Sequence, residues 1–167
     1  TGTPGTAISG QALEMPMSRP YSLDVFNNEV YVTQGTGAIA HKIILENGTM
    51  IRIAGNGTLG YSPDGTLATE ALIENPYAIK VSKSGDVHIL LQRTIRRILT
   101  NGTMATFAGS STVGFSGDGG LAKNALLNEP GDIVFTEDDG VIFSDKLNHC
   151  LRKVWENGTI TRIAGDP

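Results

Sequence analysis

Cysteine occurs once in the 167 residues, at Cys150, which excludes an internal disulfide framework and a cysteine-only metal site. Aromatic residues make up only 6% of the chain, and no run approaches the ~18 consecutive apolar residues that a membrane-spanning helix needs. The opening Thr1-Gly2-Thr3-Pro4-Gly5 has neither the basic nor the apolar stretch of a signal peptide and no initiating Met, so a segment cut from a longer polypeptide is expected. Glycine, by contrast, is abundant: 21 residues, about 13% against a usual ~7%, which favours many tight turns over long helices. With 40% hydrophobic and 18% charged residues and a net charge of -4, the composition predicts one acidic soluble unit and not a disordered tail.

Repeats set the architecture. Asn-Gly-Thr recurs at Asn47, Asn101 and Asn157, with Ala-Gly following each time at Ala54-Gly55, Ala108-Gly109 and Ala164-Gly165. Pro20, Pro76 and Pro130 keep the same period of about 55 residues, and a period of that length calls for a repeat architecture. The second and third units also share a long connection, Gly60-Tyr61-Ser62-Pro63-Asp64-Gly65 against Gly114-Phe115-Ser116-Gly117-Asp118-Gly119. Within a unit, short apolar runs are bounded by turn residues; in the second they are Ala78 to Val81, Val87 to Leu91, Ile95 to Leu99 and Met104 to Ala108. Asn-Gly tolerates both positive φ angles of a type I′ turn, so it is read as closing a hairpin between the last two strands. Ser84-Gly85 and Asp139-Gly140 are read as turns between the first two, and Leu121 to Leu127 as a helical turn. Four antiparallel strands per unit predict an all-β fold, a β-propeller of four-stranded blades with three blades in this chain. The blades are placed at 1–55, 56–109 and 110–167, and Gly2-Thr3-Pro4-Gly5 aligns with Gly57-Thr58-Leu59-Gly60.

The third unit runs Gly114-Phe115-Ser116-Gly117-Asp118-Gly119-Gly120, then Ala125 to Pro130, then Asp145-x-x-Asn148-His149-x-x-Arg152-Lys153-Val154 and Gly158-Thr159-Ile160. This resembles an NHL repeat, in the variant with an extended Gly-Asp-Gly-Gly linker known from bacterial and protist arrays and similar to the teneurin NHL domain. Unit two departs at Leu91-Gln92-Arg93, and unit one has Gln34-Gly35-Thr36-Gly37-Ala38 at that place. The resemblance implies a propeller of usually six blades that serves as a rigid binding platform, commonly for proteins, sometimes for RNA, and in a few relatives for lyase chemistry. Three blades leave an apolar face open at each end, so either a longer array or a second copy completing a six-bladed ring is expected to cover them.

Gly55-Asn56-Gly57-Thr58-Leu59-Gly60 fits a dinucleotide fingerprint but precedes no helix, and it reads as a linker. The Gly-Asp-Gly pieces at Asp64 and Asp118 lack the alternating carboxylates of a calcium loop. His41, His88 and His149 fall in different registers, so no converging zinc site is expected, and Cys150 beside His149 is read as an apolar slot. Asp145 with Asn148 and His149 is expected to hydrogen-bond backbone across its own turn. Basic pairs recur at His41-Lys42, Arg96-Arg97 and Arg152-Lys153, read as blade-edge packing with the charged heads in water, because the net charge and the splitting of each pair between two faces oppose nucleic-acid binding.

The expected function is a non-catalytic scaffold for a protein partner, contacted by the long connecting loops of one rim. Its candidate contacts are Tyr61, Asp64, Phe115, Asp118, Asn148 and His149. The alternatives are a lyase-type enzyme with a metal in the central channel and, further off, RNA binding. No cofactor is implied by any motif. Four Asn-x-Thr sequons, at Asn47, Asn56, Asn101 and Asn157, are candidate glycosylation sites and lean the expectation toward an extracellular setting.

Overall fold

A computed structural model describes residues 9–138 and 140–167. The expected alignment of Gly2 to Gly5 and the turn at Asp139 lie outside these residues. The first sheet holds β1 (Ser9–Gln11), β2 (Pro20–Phe26), β3 (Glu29–Gln34), β4 (Ile39–Ile44) and β5 (Thr49–Ala54), in the order β1-β5-β4-β3-β2. The second runs β6 (Ala78–Val81), β7 (Val87–Leu90), β8 (Thr94–Ile98), β9 (Met104–Gly109), and the third β10 (Pro130–Phe135), β11 (Val141–Asp145), β12 (Cys150–Val154), β13 (Ile160–Gly165). Every neighbouring pair is antiparallel, so each sheet is a meander, one blade.

Two apolar layers join the blades. Ile79, Ile89 and Met104 of blade 2 face Tyr31, Ala40 and Ala54 of blade 1, while Leu90, Ile95 and Ala108 face Phe143, Val154 and Ile160 of blade 3. Blade 2 is therefore covered on both sides, which is why all four residues of β7 are buried. The innermost strands β2 and β6 are also stitched together: Val81 N donates to Asp24 Oδ2 at 2.8 Å and Ile79 N to Ser22 Oγ at 3.4 Å. The two terminal faces stay open. Leu23 of β2 is 63% exposed where the register-equivalent Ile79 and Ile133 are at 0% and 1%, Val25 is 57% exposed where Val81 is at 9%, and Val134 and Leu151 of blade 3 are 55% and 41% exposed.

The Ala-Gly marker has a steric origin. Gly55, Gly109 and Gly165 sit at φ of +81°, +90° and +86°, and a Cβ there would lie 1.9, 2.2 and 2.2 Å from the carbonyl oxygens of Ala38, Arg93 and His149. The turn chemistry differs from the expectation. The Asn-Gly hairpins form, but only the glycine takes positive φ. In blade 2 Leu99 N donates to Thr103 O and Gly102 N to Leu99 O, both at 2.8 Å, and blade 3 repeats this at Trp155 and Gly158, so a type I turn closed by a left-handed glycine replaces the two-residue type I′ loop; in blade 1 Gly48 N reaches back to Ile44 O at 2.9 Å across a four-residue loop. The pair with both φ positive is Asn27-Asn28, at 48° and 62°, between β2 and β3.

The long connections do not remain on one rim. Each runs back along the outer strand of the blade it precedes: Leu67 bridges Thr103, Leu121 bridges Thr159, and in blade 1 strand β1 places Gln11 opposite Thr49. Strand β1 is thus the counterpart of these linker segments and was not expected from the sequence. The anticipated helical turn is a 3₁₀ turn at Ala122–Asn124, matched by one at Ala68–Glu70.

Candidate functional site

The bulge in each third strand places one polar residue, third in its strand, on the face turned away from the next blade: His41, Arg96 and Arg152. Arg96 and Arg152 thereby lie against the preceding blade, whereas His41 shares the terminal face of blade 1 with Leu23 and Val32. Arg96 and Arg152 are 2% and 0% exposed. The expectation that these cations keep their heads in water is therefore overturned, and the reason is the linker that arrives over them. Arg96 Nη1 donates to Ser62 O at 2.9 Å and its Nη2 to Asp64 Oδ1 at 3.1 Å, with the guanidinium 5.1 Å from the Tyr61 ring centroid. The same Asp64 oxygen accepts from Thr106 N at 2.9 Å, tying the linker to β9 as well. Arg152 repeats the arrangement with Ser116 O at 2.8 Å, Asp118 Oδ1 at 2.9 Å and the Phe115 ring at 5.1 Å, and adds Leu126 O at 2.9 Å. A buried guanidinium needs such partners, and its Nη groups find them in one linker carbonyl and a carboxylate at Arg96 and in two linker carbonyls and a carboxylate at Arg152, while Nε of each is left without a partner.

Blade 3 adds a second tie. Asp145, fully buried, accepts from Asn128 N and from Asn148 Nδ2, both at 2.8 Å, and lies 3.5 Å from Arg152. Burial holds its carboxyl above the usual range, against the pull of these neighbours. Asn148 also donates to Gly114 O at 2.7 Å, so Asp145 and Asn148 reach out to the linker instead of only across their own turn. Blade 2 has Leu91 at the Asp145 position, and there Arg93 pairs with Glu74. In blade 1 the slot holds a neutral pair, His41 Nδ1 with Gln34 Nε2 at 2.9 Å. Burial, and then Arg52, push the His41 imidazole down to about 4.

Of the six expected contacts, Tyr61 and Phe115 are 46% and 37% exposed beside their arginines, and Asp64 and Asp118 are partly exposed while ion-paired. His149 is exposed in the left-handed region at φ 53°, whereas Asn148 is buried and acts from beneath. His41 and His88 are buried in separate blades, and among the described residues no group of three or more His, Cys, Asp or Glu could hold a metal ion. Burial pushes the Cys150 thiol up. The sequon asparagines Asn47, Asn56, Asn101 and Asn157 are exposed, and each accepts from the backbone N–H two residues on at 2.9 to 3.1 Å, an Asx turn.

One cluster escaped the sequence. At the starts of the inner strands Tyr21 and Tyr77 meet edge to face at 6.1 Å, flanked by Arg19 and by the Glu129–Lys146 ion pair at 3.1 Å. Two small cavities, about 270 and about 180 Å³, open beside them. The residues before the three marker prolines, Arg19, Asn75 and Glu129, all take positive φ, so the prolines were the only visible trace of this mouth.

With this geometry in hand, the chain was compared with known proteins. No family model matches it. Teneurin-1 of Gallus gallus is 34% identical over 106 residues, covering 54% of this chain and 4% of the relative. Among solved structures, a protein of unknown function from Bacteroides thetaiotaomicron superposes with a TM-score of 0.67 at 22% identity, over 80% of this chain and 34% of its own. An auxiliary nutrient binding protein from Bacteroides ovatus gives 0.67 at 19%, over 90% and 37%, and a gluconolactonase from Xanthomonas campestris 0.63 at 13%, over 89% and 48%. The fold is a β-propeller. At these identities the structural likeness is one of fold alone, and the chain spans about a third to a half of those structures.

Proposed function

We propose that this chain is part of an NHL-type propeller acting as a non-catalytic scaffold, with a protein partner held against the linkers pinned by Arg96 and Arg152. The observation that supports this reading is the pair of buried guanidinium clamps: their Nη donors go to linker carbonyls and a carboxylate, so they tie linker to blade and rigidify a surface. Tyr61 and Phe115 are half-exposed at the same register of the two clamps, the kind of rigid aromatic contact that dominates protein interfaces. A photo-crosslinking residue at position 61 or 115 is expected to trap one and the same protein, and none from Asn27 in the exposed β2–β3 turn of blade 1. Equal capture from all three positions would sink the reading. Stoichiometric zinc or calcium in the purified protein would favour the lyase-type alternative, and salt-sensitive retention on a polyanion column would favour RNA.

The open faces support a second, assembly-level reading. Leu23 and Val25 on blade 1 and Val134 and Leu151 on blade 3 stand where internal blade contacts are buried, so a second copy seating its blade 3 on blade 1 would cover both. Light scattering is expected to give twice 17.7 kDa, and a monomer at every concentration would refute the two-copy ring.

A further inference from the structure

Directly after each polar slot residue stands a cation on the opposite face of the blade: Lys42, Arg97 and Lys153. Two of the three are neutralised within the chain. Lys42 pairs with Glu29 at 2.6 Å, in the seam between blades 1 and 2, and Lys153 pairs with Asp138 at 2.9 Å. Arg97, in the seam between blades 2 and 3, has no hydrogen bond or ion pair among the described residues, although it is half-buried. Asp86 holds the position that Glu29 holds in blade 1, but it is one methylene shorter and its Oδ2 accepts from Ser84 Oγ at 3.1 Å. A half-buried guanidinium without a counter-charge is costly unless something supplies one.

The space around Arg97 is shaped to receive it. Two cavities of about 270 and about 350 Å³ lie in series along this seam and share Arg97 and Phe107. Beyond Arg97 the first is walled by the hydroxyls of Ser82 and Ser84 and by His88, which is 3% exposed with Nδ1 on Asp86 O at 3.3 Å and Nε2 without a partner. The second is lined by the linker residues Leu121 and Lys123 and by Glu156, which makes no ion pair with Arg97. An elongated groove with the unpaired Arg97 and Phe107 shared by its two halves, Lys83 and Lys123 along its walls and the unmet His88 Nε2 in its first half fits a chain-like ligand better than a compact one.

We propose that the seam between blades 2 and 3 binds an extended peptide segment whose carboxylate side chain is received by Arg97, with a neighbouring apolar side chain on Phe107. The guanidinium fork suits a carboxylate bidentately, and the site takes the place that Glu29 fills from within the chain in the preceding seam. It borrows one wall, Leu121 and Lys123, from the blade 2–blade 3 linker but uses neither Tyr61 nor Phe115, so it stands or falls independently of the scaffold reading.

The test is an NMR titration of the ¹⁵N-labelled 167-residue chain with acetyl-Leu-Glu-Leu-amide, its glutamine counterpart and sodium acetate. The glutamate peptide is expected to shift the Arg97 Nε–H and the backbone amides of Phe107 and Lys123, with the glutamine peptide roughly tenfold weaker, the loss of one charge-assisted contact. Arg97→Gln is expected to abolish the preference, and Lys42→Gln to leave it intact. Equal response to the two peptides, no response at Arg97, or retention of the preference in Arg97→Gln overturns the proposal. Acetate reproducing the same shifts at the same concentration overturns the peptide part of it. The comparison of peptides uses the unmodified chain, so it holds whether or not the variant folds.

Discussion

The same slot is filled differently in different blades: a fully buried arginine with an arriving linker in blades 2 and 3, a buried His41–Gln34 pair in blade 1. Blades 2 and 3 differ again, since Arg152 has Asp145 behind it and Arg96 has Leu91. A repeat can therefore conserve the need for a polar filler at this register while exchanging charge for neutrality. What decides the choice is the supply of acceptors. Where a linker brings at least one carbonyl and a carboxylate, a cation is affordable in a dry place; in blade 1 a neutral imidazole serves.

The strongest way to break this comparison is to remove the cations. Arg152→Met leaves the buried Asp145 without its cation, with only the hydrogen bonds from Asn128 and Asn148, and should lower stability by about 3–5 kcal/mol. Arg96→Met, whose carboxylate partner Asp64 is half-exposed, should cost less, about 1–3 kcal/mol. Urea midpoints measure both, and equal losses would mean that Asp145 is not what distinguishes the blades. Acid separates the neutral slot from the charged ones. His41 is held near 4 when folded, while the unfolded chain titrates near the ordinary ~6.5, so the unfolded state takes up the proton first as pH falls through that window. Stability should therefore be intact above the upper value and fall toward pH 4, by up to about 1.4 kcal/mol per pH unit for each such histidine. His88 is held near 4 as well, chiefly by burial, so His41→Gln should reduce the slope without abolishing it, and an unchanged slope would show that His41 is not the group titrating.

Two smaller effects sharpen the picture. Gly102→Val places a β-branched residue at φ +81° with no side-chain clash, so its cost is backbone strain alone, about 1–2 kcal/mol by thermal unfolding. Phe115→Leu removes the ring over Arg152 at a partly exposed site and should cost about 0.5–1 kcal/mol. A loss as large as that of Arg152→Met would make the ring, and not the hydrogen bonds, the centre of the clamp.

The strands of blade 2 were readable almost to the residue, because Gly, Asn and Pro punctuate short β-branched runs and the marker period repeats. Strand β1 was not, since Ser9-Gly10-Gln11 carries no apolar alternation and is held by backbone pairing to β5. The buried arginines were hidden by their charge, which places such residues in water by default. Their one visible trace was the recurrence of an aspartate 32 and 34 residues upstream, Asp64 before Arg96 and Asp118 before Arg152. The lone state of Arg97 had no trace at all, because it depends on how far the side chain of Asp86 reaches.

The linkers that run back along the outer strands have a consequence for handling and for evolution. An uncovered outer strand offers unpaired backbone groups to any other chain, and Gln11, Leu67 and Leu121 stand opposite the start of each such strand. The unit that can be duplicated, deleted or transplanted without creating a sticky edge is therefore offset from the unit seen in the sequence. It begins in the long connection, near Gly60 or Gly114, and ends with the outer strand, and cuts made just before an inner strand should yield proteins that aggregate.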